Sequence, residues 1–294
     1  MTSEKGSSRL APILAVLGAL IVFWYVAALL MNAQLQRDRF ANAGRTDYSA
    51  TELASASLNM DRPKLPAPHQ IVGELWRSVA LADPTSKRSL AFHAFITVRE
   101  TLLGFALGSM LGGALAAAAV HLHWIDRALM PWIVASQMIP IIALAPMIVV
   151  IFNQFDVIGI VPKAAIAAYL TFFPVTVGLV KGFRSPDPLQ LDLMRTYGAT
   201  RAQTFWKLRV PACAPFFFAS MKVAAAAALV GSVVAEVTKS EDGGLGARLL
   251  AGSYYGQTVQ IWAALFAAAF CSATLVGVIG LADVYAGKRM AYAR

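Results

Sequence analysis

The chain has 294 residues, 58% of them hydrophobic and 14% charged, with a formal net charge of +9. A soluble domain carries roughly 45–50% apolar and about 25% charged residues, so this composition excludes an ordinary soluble globule and places the chain in a membrane. The positive balance then reads as basic cytoplasmic loops and not as a nucleic-acid surface, and Cys213 and Cys271, far apart and in no C-x-x-C, read as packing residues.

Crossing about 30 Å of hydrocarbon takes roughly 20 apolar residues. Six stretches qualify, at residues 10–31, 95–120, 128–152, 158–180, 212–237 and 259–282, which predicts an all-α polytopic membrane protein. The first follows Lys5 and Arg9, is longer than a signal-peptide core and precedes no A-x-A-like cleavage site, so it reads as a retained anchor. In the long segment after it, "DRPKLPAPHQIVGELW" reads as a Pro-stiffened lead-in to a short surface helix. In the second span Gly104, Gly108 and Gly112 recur every four residues and line one face, letting another backbone approach; close packing alone accounts for such a row. His121 and His123 sit two apart with no H-E-x-x-H, so they read as polar caps at a span end and no metal site is expected. Pro140 and Pro146, in "QMIPIIALAPM", break backbone hydrogen bonding in the third span, which points either to a kink or to a wet pathway.

A basic island, "DLMRTYGATRAQTFWKLRVP", separates the fourth and fifth spans. Asp187 before Pro188, with Gln190 three residues after the cap, predicts a capped helix start; Gly198 predicts a left-handed stop. Thr200 with Gln203 predicts a second capped start, and Pro211 is expected to end that helix. Phe205 and Trp206 beside Arg201 and Lys207 fit either a membrane interface or a docking helix for a soluble partner. In the fifth span Lys222 and Glu236 are functional candidates because they are ionisable. Fourteen residues place them within roughly 40° of one face but about 21 Å apart, too far to pair. Glu236 is expected either as a gate or docking contact paired with a basic residue, or as a glutamate reaching headgroup water; Ser253, Tyr254 and Tyr255 are expected at the outer boundary. Lys5, Arg9, Arg127, Lys181, Arg184, the island, Lys288, Arg289 and Arg294 all fall on one side, which predicts cytoplasmic termini and a cytoplasmic island.

The island resembles the cytoplasmic signature of permease subunits of bacterial ABC importers, E-A-A-x-x-x-G followed nine residues later by I-x-L-P. Gly198, Leu208, Val210 and Pro211 stand at the matching positions, while Asp192, Leu193 and Met194 occupy the E-A-A positions and keep one acid. From about residue 65 to 286 the chain looks like the nitrate, sulfonate and taurine class of these permeases, through "RETLLGFALG", "IPIIALAPM", "FFPVTVGLVKGFRSPDP", "VVAEV" and "GGLGARL". Where that class commonly has an aromatic and a glycine after the third span, this chain has "IFNQFD".

The resemblance implies a type I ABC importer permease fold of six transmembrane helices. It implies a cytoplasmic tail and first helix over 1–32, an extracytoplasmic loop over 33–90, a transmembrane domain over 91–286 with coupling helices near 186–211, and a tail over 287–294. Asp192, Gly198, Arg201, Phe205, Trp206, Leu208 and Pro211 would couple to an ATPase subunit; Pro140, Pro146, Lys222 and Glu236 would serve the pathway or its gate. Implied partners are that ATPase, which would hold ATP and magnesium, an extracytoplasmic solute-binding protein and a second permease copy. The chain carries no G-x-x-x-x-G-K-[ST] loop, so ATP hydrolysis is expected elsewhere. The implied solute is small and polar or anionic, such as nitrate, a sulfonate, or a pyrimidine or vitamin precursor. A secondary transporter would show repeated halves, and a membrane enzyme a convergent catalytic set; neither is visible.

Overall fold

The computed structural model describes residues 4–290; Arg294 lies outside them, as do the side chains of Lys5, Arg9 and His123. All regular elements among the described residues are helical. They form two compact units, one holding the residues up to Ala91 with Arg248–Phe266, the other Phe92–Ala247 with the residues from Ala267 on.

In the first unit α1 (Glu4–Asn42) runs well past the expected span end. Its 39 residues make a rod about 58 Å long, nearly twice the hydrocarbon thickness. Two short helices follow, α2 (Ala50–Leu58) and α3 (Pro68–Trp76), the latter starting on its proline and widening into a π-helical turn over Arg77–Leu81. Asn32, fully buried, organises the segment between them. Its amide donates to the Leu65 carbonyl at 2.8 Å and its oxygen accepts from the Lys64 amide at 2.8 Å, so irregular backbone is satisfied by one side chain. Trp24 donates to the Pro66 carbonyl at 3.1 Å and packs edge-on against Trp262.

The second unit begins with α4 (Leu90–His121), and the expected third span proves to be two helices, α5 (His123–Ser136) and α6 (Ile141–Gln154), bent by 104°. Pro140 is the cause: it has no N–H to give and keeps Ile139 out of helical geometry, so it caps α6 from outside. The Ser136 carbonyl, which proline at 140 cannot serve, accepts the Tyr169 hydroxyl and, at 3.4 Å, the Ile139 amide. Pro146 lies exposed inside α6, without a comparable break. After α6, Asp156 takes φ +56°, the sole non-glycine left-handed residue among those described.

Next come α7 (Ile160–Phe183), α8 (Pro188–Thr196) and α9 (Arg201–Thr204), then a π-helical turn over Phe205–Arg209 that leads into α10 (Val210–Thr238). The chain closes with α11 (Leu245–Tyr254) and α12 (Thr258–Met290), which stays helical past residue 286. Five helices are long and apolar enough to cross a membrane, six if the bent pair counts as one span.

Glycine decides how closely α4, α7 and α10 approach. A Cβ on Gly108 would stand 2.5 Å from Thr171 Cβ, and one on Gly112 2.6 Å from the Phe172 carbonyl; Gly104 meets Ala164 and Ala167 in the same way. The glycine row of α4 is thus a seam against α7. Sequence reasoning left out Gly178, Gly182 and Gly231, where a Cβ would meet Ser220, Cys213 and the Ala167 backbone, so the second seam joins α7 to α10.

Candidate functional site

The island folds as its caps dictate. The Asp187 carboxylate accepts the Leu189 amide at 2.8 Å, and Gln190 reaches back to the Asp187 amide. Thr200 and Gln203 form the second reciprocal pair, at 3.2 and 2.8 Å. Between them Gly198 at φ +64° closes a Schellman turn: the Ala199 amide donates to the Met194 carbonyl and the Gly198 amide to that of Arg195. Each of these bonds joins residues no more than five positions apart.

Two expectations for the island change. Pro211 does not end the second helix; the chain continues into α10 with Pro211 in its first turn. The π-helical turn makes this possible, because the Val210 amide bonds to the Phe205 carbonyl one residue further back than usual, widening the helix where proline supplies no donor. Phe205 is not a docking aromatic. It is 8% exposed, its ring 4.6 Å from that of His121 and 5.0 Å from that of Phe183, inside the core formed with Cys213 and Met221.

Trp206 alone of the pair faces outward, at 68% exposure. Leu189, Leu193 and Tyr197, spaced four apart along α8 and its C-cap, are exposed as well and share one side of that helix. That apolar stripe is legible in the sequence as an i, i+4, i+8 pattern. Asp192 and Arg201 are exposed, Asp192 bonded to Arg195 at 2.9 Å, while Leu208 is half-buried.

At the opposite ends of α7 and α10 lies a buried polar cluster. Glu236 does not reach headgroup water. It is fully buried, one oxygen accepting the Thr97 hydroxyl at 2.6 Å and the other the Gly246 amide at 2.7 Å. Gly244 lies so close that any Cβ there would collide with the Glu236 carboxylate, and its φ of +114° also demands glycine. Nearby, the fully buried Lys163 ammonium stands 3.1 Å from Glu100 and 3.3 Å from Asp242. Thr101 and Ser232 hydroxyls meet at 3.0 Å one turn below. Glu100 and Lys163 are absent from the candidates drawn from sequence, although the rule that singled out Lys222 and Glu236, an ionisable residue within a span, applies equally to them.

Lys222 is not near this cluster; it pairs with Asp283 of α12 at 2.7 Å, half-buried. The structure therefore separates the pathway candidates: Pro140 at the α5–α6 break, Pro146 on the outer face of α6, Lys222 in an α10–α12 ion pair and Glu236 in the cluster.

Comparison with known proteins decides the family. The model of the family described as binding-protein-dependent transport system inner membrane component matches residues 104–292. The chain belongs to this family. It is 34% identical over 222 residues to the formylaminopyrimidine transport permease protein ThiX of Halalkalibacterium halodurans, covering 75% of this chain and 81% of that one. The riboflavin transport system permease protein RibX of Chloroflexus aurantiacus is 30% identical, over 74% and 78% of the two chains. The nitrate import permease protein NrtB of Synechococcus elongatus is 25% identical, over 66% and 69%. Family and helices together make the chain a multi-pass inner-membrane permease of the ABC importer class, with the type I permease fold. Its relatives are transport permeases and not enzymes. The matched region contains the helix pair, both glycine seams and the Lys163, Glu236 and Gly244 part of the cluster, while Thr97, Glu100 and Thr101 precede it.

Proposed function

We propose that this permease imports a small polar solute by alternating access, driven by a separate ATPase subunit that grips the α8–α9 pair. The observation carrying this reading is the exposed apolar stripe of Leu189, Leu193 and Tyr197, with an exposed Trp206 after the turn, on a segment ordered by two capping boxes and a Schellman turn. Large aromatic and aliphatic anchors on a pre-ordered element are what a tight protein interface uses, and a rigid lever transmits motion where a flexible loop would absorb it. Gly198 supplies the turn, and Arg201 and Asp192 border the face. ATP and magnesium would sit on the ATPase. Closure of two ATPase subunits would draw two such helix pairs together, so the functional unit is a pair of permease chains, and loaded binding protein would dock on the far side.

The island and both termini then face the cytoplasm, as the basic residues require. For the solute, the relatives of higher identity transport formylaminopyrimidine and riboflavin by name, those of lower identity nitrate and sulfonates, so a nitrogen heterocycle such as a pyrimidine or vitamin precursor is the favoured cargo.

Co-expression with the cognate ATPase tests the coupling: the two should co-purify, and Leu193→Asp with Trp206→Ala should abolish co-purification while leaving the permease in the membrane. Retained co-purification would refute the docking face. A periplasm-active reporter should be active after Asp47 and silent after Thr200; activity at Thr200 would overturn the orientation.

A further inference from the structure

The start of α11 is held in place from outside its own sequence. Its first amides are capped by side chains of other helices: Gly244 donates to His93 Nδ1 at 3.0 Å, Leu245 to Thr97 Oγ1 at 2.9 Å and Gly246 to Glu236 Oε2 at 2.7 Å. His93 and Thr97 lie one turn apart on α4, and Glu236 comes from α10, so a carboxylate sits where the helix amides concentrate positive charge. Gly243, at φ +90°, and Gly244 let the backbone pass close enough for these bonds. Residues 239–247 therefore form a strap from the end of α10 across the end of α4, pinned to α4 by side chains.

One further tether differs in kind. Lys163 on α7 holds Asp242 of the strap and Glu100 of α4 together. The two arms are unequal: Lys163 is sealed from solvent and the Glu100 side chain is 4% exposed, but that of Asp242 is 47% exposed. An ion pair open to water on one side is weak and readily exchanged, whereas a buried one is broken only by leaving a charge unpaired. If Asp242 lets go, water takes over its solvation and Lys163 remains on Glu100. The asymmetry makes release of the strap reversible without exposing an orphaned buried ammonium.

We propose that Lys163 is a positioning residue for transport, the clasp of a strap formed by residues 239–247 that holds the outer end of the permease closed, and that detachment of Asp242 from Lys163 is its opening step. The words "outer end" rest on the orientation proposed above, in which the α8–α9 pair faces the cytoplasm. Glu236, His93 and Thr97 are the permanent anchors; Asp242 is the releasable one. A binding protein docking against the exposed Asp242 side could then lift the strap by competing for its carboxylate.

The test uses the assembled permease–ATPase complex in nanodiscs, carrying Ile96→Cys as a half-buried thiol beneath Gly243, the neighbour of Asp242: a Cβ on Gly243 would stand 3.2 Å from Ile96 Cδ1. Asp242→Asn should raise its labelling by a membrane-impermeant maleimide roughly two- to fivefold, the range expected for loss of a water-exposed ion pair. ATPase activity without binding protein should rise by a similar factor, because a weakened closed state shifts the population toward the open one. Glu241→Gln, which neutralises the neighbouring exposed acid, should change neither. Unchanged labelling and ATPase rate in Asp242→Asn, or equal changes in Glu241→Gln, would overturn the clasp. In sealed vesicles, labelling confined to the inner face would overturn the orientation instead, and with it the placing of the strap at the outer end.

Discussion

Replacing Gly108 by alanine adds one methyl group to the α4–α7 seam, 2.5 Å from Thr171 Cβ and 2.6 Å from the Ala168 carbonyl oxygen. Carbon atoms pack best about 3.5–4.0 Å apart, so the two helices must separate by on the order of 1 Å or distort. Gly113, five residues along the same helix, is the matched control: its Cβ would meet only Leu179 Cδ1, at 3.8 Å, an ordinary contact. Both substitutions gain the same helix propensity, so that gain cancels between them. What remains is the overpacking, about 1–3 kcal/mol against Gly108→Ala. For a chain of this size each kcal/mol moves an apparent melting midpoint by roughly 2–4 °C, giving a gap of about 2–12 °C. Fluorescence-detected size-exclusion thermal profiles of the two variants in one detergent measure it directly. Coincident midpoints would show that α4 and α7 do not approach as closely as the seam requires.

Phe205→Ala should destabilise the chain by about 3–5 kcal/mol in the same assay, as expected for a core aromatic, whereas Trp206→Ala should leave the midpoint unchanged and weaken ATPase binding, by about 2 kcal/mol or more if it is an interface anchor. The reverse pattern would mean that the two aromatics have been assigned to the wrong faces. Gly244→Ala should abolish uptake into proteoliposomes with membrane insertion retained, since both the left-handed backbone and the Glu236 carboxylate exclude a Cβ; normal uptake would remove Glu236 from its place at the start of α11. Lys222→Met should lower the melting midpoint, and adding Asp283→Leu should recover part of the loss, because Lys222→Met takes from the half-buried Asp283 carboxylate a cation 2.7 Å away. Strictly additive losses in that double-mutant cycle would argue against the ion pair.

Local chemistry wrote much of this protein. Composition demanded a membrane, and the caps at Asp187 and Thr200 with the stop at Gly198 specified the helix pair, since each is an interaction among residues a few positions apart that no distant contact had to supply. The glycine period in α4 announced a close contact for the same reason. What it could not announce was the surface met there, or that Gly178 and Gly182 would form a second seam, because a period names a face and not its neighbour. Phe205 and Trp206 are adjacent and chemically alike, and their opposite fates follow from where α4 and α7 deliver His121 and Phe183. Apolar length sets whether the third span can enter a bilayer but not its shape; the 104° bend follows from Pro140, and the Tyr169 hydroxyl that helps satisfy the Ser136 carbonyl comes from another helix. Glu236 shows the limit most clearly. Sequence marks it as a charge in a greasy helix, but its partners lie 139 positions before it and 10 after, and only folding turns a hydroxyl, an amide and a glycine with no side chain toward one carboxylate.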